Sequence, residues 1–99
     1  MKPLVYLPGA LADVIQSARW YGRERPGLEY RFLAECNLAY QRLALHPDLY
    51  APLKKKVRRV LVRNFPFAVY YRITEKHIEI IAILSTRINP DTIESRIGE

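Results

Sequence analysis

A chain of 99 residues, 49% of them hydrophobic, is long enough for one modest core and too apolar to be disordered, so a single domain over 1–99 is expected. The net charge of +6 and a pI of about 9.7 suit an anionic partner such as nucleic acid, the ribosome, an acidic protein or an anionic membrane surface, or they serve solubility alone. One cysteine, Cys36, excludes an internal disulfide and fits a reducing compartment.

Lys2 to Leu7 reads as a short strand ended by Pro8 and Gly9. The segment MKPLVYLPGAL is too short and proline-rich for a signal peptide, and no apolar run nears the roughly 20 residues of a membrane span, so a cytoplasmic protein without a membrane partner is expected. From Ala10 the period becomes helical: Leu11, Val14, Ile15, Ala18 and Tyr21 share one face. Asp13 sits near the start and Arg19, Arg23 and Arg25 towards the end, as the helix dipole favours. Pro26-Gly27 breaks the helix, and a second follows over Leu28 to Leu45 with Phe32, Leu33, Cys36, Tyr40 and Leu43 inward. A Pro-Gly turn between two helices predicts an antiparallel hairpin.

After a loop from His46 to Leu53 come three β-type runs: Val57 to Arg63, Phe67 to Ile73, and His77 or Ile78 to Leu84. Their short polar breaks predict an antiparallel meander. In the middle run Phe67, Val69, Tyr71 and Ile73 share one face, and Ala68, Tyr70 and Arg72 the other. The last run is apolar on both parities except at Glu79 and should be the most buried. From Ser85 the tail is polar, with Asn89-Pro90 marking a turn. The fold class is therefore α+β: a short N-terminal strand, a helix hairpin, then a three-stranded meander with the helices on one face. Nothing predicted here covers the opposite face completely, and that open face should carry Arg and Tyr side chains.

The chemistry concentrates where the meander begins. Lys54, Lys55, Lys56, Arg58, Arg59 and Arg63 form a basic block without an acidic residue. Arg59 and Arg63 flank Leu61 on one strand face, Arg72 comes from the neighbouring strand, and Arg87 lies beyond the last. Converging guanidiniums would hold phosphates or carboxylates. The plainer reading of the three lysines is an edge strand guarded by charge. Tyr70 beside Arg72 could stack a base or donate a proton, although a half-buried strand aromatic is the commoner case. Trp20 suits a protein contact and Tyr21 suits packing inside the hairpin. Neither His46 nor His77 has metal-ligand spacing, Cys36 faces inward, and the four glycines form no phosphate loop, so no metal and no cofactor are expected.

Several short motifs in order carry a family likeness. Asp13 is followed by Ala18, Arg19, Trp20 and Tyr21; then come Pro26, Gly27, Leu28 and Phe32, and Pro47 closing the second helix. Next stand Arg58-Arg59, Arg63-Asn64-Phe65-Pro66-Phe67, Val69-Tyr70-Tyr71-Arg72, and Ile80 to Leu84 with Arg87 and Pro90. In this order and spacing the chain resembles the RelE/ParE superfamily of toxins from type II toxin–antitoxin systems. Ser85 stands where many relatives carry histidine, and Ile88 and Asn89 replace the usual arginine and aspartate. The Phe-Pro-Phe turn is more similar to the ParE side, which implies inhibition of DNA gyrase without catalysis. Target contacts would then come from Lys54, Lys55, Lys56, Arg59, Arg63, Arg72 and Arg87. The RelE-like alternative is ribosome-dependent mRNA cleavage, with Arg59, Arg63, Tyr70 and Arg87 as catalytic candidates. A third reading is a non-toxic relative that only binds its partner. The resemblance also implies a cognate antitoxin in a tight complex, with Trp20, Tyr21 and Arg31 as candidate contacts.

Overall fold

Alternating apolar residues from Val57 to Leu84 build the centre of a five-stranded sheet in the computed structural model, which describes residues 1–98. The elements run β1 (Leu4–Tyr6), α1 (Pro8–Glu24), α2 (Leu28–Leu45), β2 (Pro52–Lys54), β3 (Val57–Val62), β4 (Phe67–Ile73), β5 (Ile78–Ser85) and α3 (Pro90–Ile97). The sheet order is β1-β5-β4-β3-β2. β2 to β5 pair antiparallel, and β1 joins β5 in parallel after the chain has crossed over through the helices. The α+β class, the hairpin and the meander are thus as the sequence predicts. Two elements are additional: the edge strand β2 and the helix α3.

Pro8 starts α1 where its missing N–H is harmless. Gly27, at φ 96°, makes the left-handed turn into α2 that a residue with a Cβ would resist. The hairpin packs on the sheet through Ala18, Phe32, Cys36, Ala39 and Leu43 against Val60, Val62, Val69, Tyr71, Ile78, Ile80 and Ile83. β5 lies between β1 and β4 and is the most buried strand. A bulge places Tyr70 opposite Ala82 and Tyr71 opposite Ile80, leaving Ile81 as the extra residue. It lets β5 bury both parities: Ile80 and Ile83 face the hairpin core, Ile81, Ala82 and Leu84 the other side.

That other side corrects the expectation of an open face. The tail after Ser85 is not simply a polar turn, because Asn89 caps a helix by accepting from the Asp91 N–H at 2.8 Å and Pro90 opens it. α3 lays Ile93 and Ile97 over Val57, Ala68, Tyr70 and Leu84. Tyr70 is consequently fully buried, not a surface side chain. Asp13 is also corrected. It is the sixth residue of α1, beyond the first turn, and its carboxylate accepts from the Ile83 N–H at 3.0 Å and from both Arg96 Nη atoms at 3.0 and 2.8 Å. One side chain therefore ties α1, the outer edge of β5 and α3 together.

Burial sets the alkaline limit of this fold. Desolvation, reinforced by Glu35, pushes the Cys36 thiol up to about 12, and desolvation pushes the Tyr71 hydroxyl up to about 12 against the opposing pull of Arg58. Tyr40 is raised for the same reason, burial first. In an unfolded chain a thiol ionises at about 8.5 and a phenol at about 10. The folded state thus holds protons that the unfolded state releases. The stabilisation is complete below about pH 8.5 and is lost as pH rises towards about 12. The urea midpoint should be level around neutrality and fall progressively above about pH 9, with Cys36→Ala removing the earliest part of that fall. A midpoint unchanged into the phenol range would show that these groups do not titrate as buried.

Candidate functional site

The basic block divides once it is folded. Arg58 turns to the hairpin side, where its Nη1 donates to the Tyr50 carbonyl at 2.6 Å and the Asp48 carbonyl at 3.3 Å. With the Tyr71 hydroxyl donating to the Pro47 carbonyl at 2.7 Å, it anchors the loop after α2. Lys54 pairs with Glu94, and the Lys55 ammonium donates to the Gly98 carbonyl, so both hold α3. The bond from Lys54 lowers the Glu94 carboxyl below its ordinary range. Lys55 and Lys56, at φ 50° and 65°, form the two-residue turn between β2 and β3. Arg72 lies at the far end of β4 and meets Glu79 at 3.5 Å; Glu79 also meets His77 at 3.3 Å.

Lys56, Arg59, Arg63 and Arg87 are exposed and make no ion pair among the described residues. Arg59 stands opposite Tyr70 and Leu61 opposite Ala68, on the sheet face that α3 only partly covers. Leu61 is 55% exposed beside them. Arg63 and Arg87 both lie at one end of the sheet, because Ser85 pairs with Phe67 and the Thr86 N–H donates to the Pro66 carbonyl at 2.8 Å. Asn64, left-handed at φ 68°, shapes that turn and donates to Glu35 at 2.8 Å. The structure thus sets Arg59 on that face and Arg63 and Arg87 at the end of the sheet; Arg72 is not among them.

Of the predicted hairpin contacts, Trp20 is 50% exposed and packs edge-on against Tyr21 at 5.0 Å between ring centres. Tyr21 is the hub of an aromatic cluster with Phe32 at 5.1 Å, Phe65 at 5.0 Å and Phe67 at 6.0 Å. Burial raises its hydroxyl, and Arg87 opposes the rise, which sets that guanidinium near the cluster. Arg31 is exposed on α2. The sequence reading missed an apolar surface on the hairpin. Leu11, Ile15 and Leu33, expected inside, are 47%, 49% and 36% exposed. Leu11 and Leu33 line a groove of about 330 Å³ between α1 and α2 with Tyr6, Val14, Cys36 and Tyr40. The hairpin carries more apolar positions than the sheet can cover, and that surplus was the available signal.

Among the described residues no cluster of His, Cys, Asp or Glu could hold a metal, and no helix is long and apolar enough to cross a membrane. An α+β domain with a helix hairpin on one sheet face and free arginines on the other face and at the sheet's end is the class these features define. The model of the ParE toxin of the type II toxin–antitoxin system parDE matches residues 4–90. Toxin ParE2 of Mycobacterium tuberculosis, in strains CDC 1551 / Oshkosh and ATCC 25618 / H37Rv, is 35% identical over 91 residues, spanning 91% of this chain and 87% of the relative. The solved chromosomal ParDE TA system from P. aeruginosa contains a chain of the same fold, with a TM-score of 0.77 and 21% identity over 86% of this chain and 96% of that one. The chain belongs to the ParE toxin family of type II toxin–antitoxin systems.

Proposed function

We propose that this protein arrests bacterial growth by binding, with DNA gyrase as its target, and is silenced by an antitoxin that covers the helix hairpin. The observation that carries the reading is the separation of two chemically distinct faces. Arg59 offers an unpaired guanidinium beside exposed Leu61 on one side, with Arg63 and Arg87 at the end of the sheet. On the other, the groove lined by Leu11 and Leu33 offers an apolar seat. A segment that orders on binding can fill such a groove with apolar anchors, while acidic residues meet Arg19, Arg23 and Arg31 around it. Trp20 extends that seat. The arginine face stays available for the target, where bidentate donors suit carboxylates or phosphates.

The RelE-like reading has one observation in its favour: Arg59 stands directly across from Tyr70. Its phenol is sealed beneath α3, which favours the binding reading. Pulsed incorporation of labelled thymidine, uridine and methionine after tightly controlled expression discriminates between them. An early fall in thymidine incorporation is expected. An early fall in methionine incorporation would transfer the target to the ribosome. Undiminished incorporation with normal growth would leave a partner-binding relative without toxicity.

A further inference from the structure

One polar atom in the described core has no counterpart. The Tyr70 hydroxyl is buried and makes no hydrogen bond, which is a costly arrangement for a phenol. Tyr70 borders a cleft of about 210 Å³ between α3 and the sheet, with its hydroxyl buried behind the cleft's surface. Leu53, Pro90, Ile93 and Ile97 give the cleft apolar walls. Arg59 and the Lys54–Glu94 pair stand around it. Glu94 is matched by Lys54, so the uncompensated charge is that of Arg59, directly opposite Tyr70 in the β3–β4 register.

We propose that this cleft binds a small carboxylate with a short apolar body, one oxygen accepting from the Tyr70 hydroxyl and the other from the Arg59 guanidinium. The apolar body would lie against Ile93 and Ile97. Two donors from paired residues on neighbouring strands suit the two oxygens of a carboxylate, and one unmatched cation suits a single negative charge. An amine would meet Arg59 as a like charge, and a neutral alcohol would leave Arg59 unmatched. Because the phenol is sealed from water, the ligand reaches it as α3 tilts outward. That helix has eight residues; its hold on Lys54 through Glu94 is exposed, and Arg96 on Asp13 ties only its last turn. The inference concerns the isolated chain and stands apart from the toxin reading.

The test uses the full chain and hexanoate, with hexanol and hexylamine as isosteric controls. Amide shifts of Tyr70, Ile93 and Ile97 should saturate with hexanoate at a dissociation constant on the order of 1 mM, the range open to so small a ligand. Hexanol and hexylamine should bind at least about tenfold more weakly. Tyr70→Phe deletes the orphaned hydroxyl, so it should keep or raise thermal stability while weakening hexanoate about tenfold. Arg59→Gln should weaken hexanoate similarly and leave hexanol unchanged. Equal binding of the three probes, or full hexanoate affinity in both variants, would overturn the proposal. So would the absence of saturable shifts in a wild-type chain whose spectrum shows it folded.

Discussion

Asp13→Ala is expected to lower the unfolding free energy by about 2–4 kcal/mol, a larger loss than other single polar substitutions should cause. Three donors converge on this carboxylate, and its side chain is only 12% exposed. Hydrogen bonds to a charged group are each worth about 1.5–3 kcal/mol, but they are not additive and Arg96 is 35% exposed, so water recovers part of its loss. The Ile83 N–H has no such recourse, since Ile83 is buried and β1 ends its pairing with β5 at Ile80. An orphaned donor of that kind costs about 1–3 kcal/mol by itself. At about 4–8 °C per kcal/mol for a domain of this size, the melting temperature should fall by roughly 10–30 °C. Asp13→Asn keeps an acceptor for Ile83 while dropping the charge against Arg96, so it should lose about half as much. Arg96→Gln should cost about 1 kcal/mol and speed amide exchange in α3 before the rest of the chain. A loss below about 0.5 kcal/mol for Asp13→Ala would mean that packing alone holds α1 and α3 to β5.

The same residue shows what the sequence could not disclose. Asp13 near a helix start reads naturally as a dipole partner, yet its partners lie 70 and 83 residues away. Local periodicity carries no information about such contacts. The meander was legible because alternation persists through β3 and β4 and the breaks are short. The apolar run of β5 correctly signalled burial on both faces, although the bulge at Ile81 that achieves it left no mark. α3 did leave a signature, Asn89-Pro90-Asp91 with Arg96 in the last turn, but Asn-Pro also opens turns and only Ile93 and Ile97 give the helix an inward face. β2 was hidden because left-handed two-residue hairpins usually declare themselves by Asn-Gly, and here two lysines take that backbone. Leu11, Ile15 and Leu33 followed the helical period and still lie half outside, because periodicity defines a face without saying how much of it the sheet covers.

The arginines illustrate a second gap between composition and structure. A run of basic residues cannot show which cations are already engaged. Folding assigns Arg58 to the loop after α2, Lys54 and Lys55 to α3, and Arg72 to Glu79. Arg59, Arg63 and Arg87 are left without ion pairs. The fold thereby sorts the basic block into engaged and free cations, and localised free cations, unlike net charge, can orient a partner.

Reversing two of those free cations should separate toxicity from stability. Arg59→Glu with Arg63→Glu is expected to abolish growth arrest while shifting the unfolding free energy by no more than about 1 kcal/mol. Both side chains are exposed and unpaired, and such surface changes usually stay within about 0.5 kcal/mol each. Each reversal changes the charge by two, so the net charge falls from +6 to +2. A target that presents carboxylates or phosphates then meets repulsion where it met donors. Losing one buried charged contact costs about 2–5 kcal/mol of binding, and tenfold corresponds to about 1.4 kcal/mol, so two should weaken binding by at least about a thousandfold. Reversing Arg19 and Arg23 on α1 makes the same change in net charge away from those positions. That variant should remain toxic; loss of toxicity in both would trace the effect to overall charge and not to position. Colony formation under controlled expression, read beside the thermal melt of each purified variant, decides it. A folded Arg59/Arg63 variant with full toxicity would move the target contact off this face, leaving the groove between α1 and α2 to serve both partners in turn.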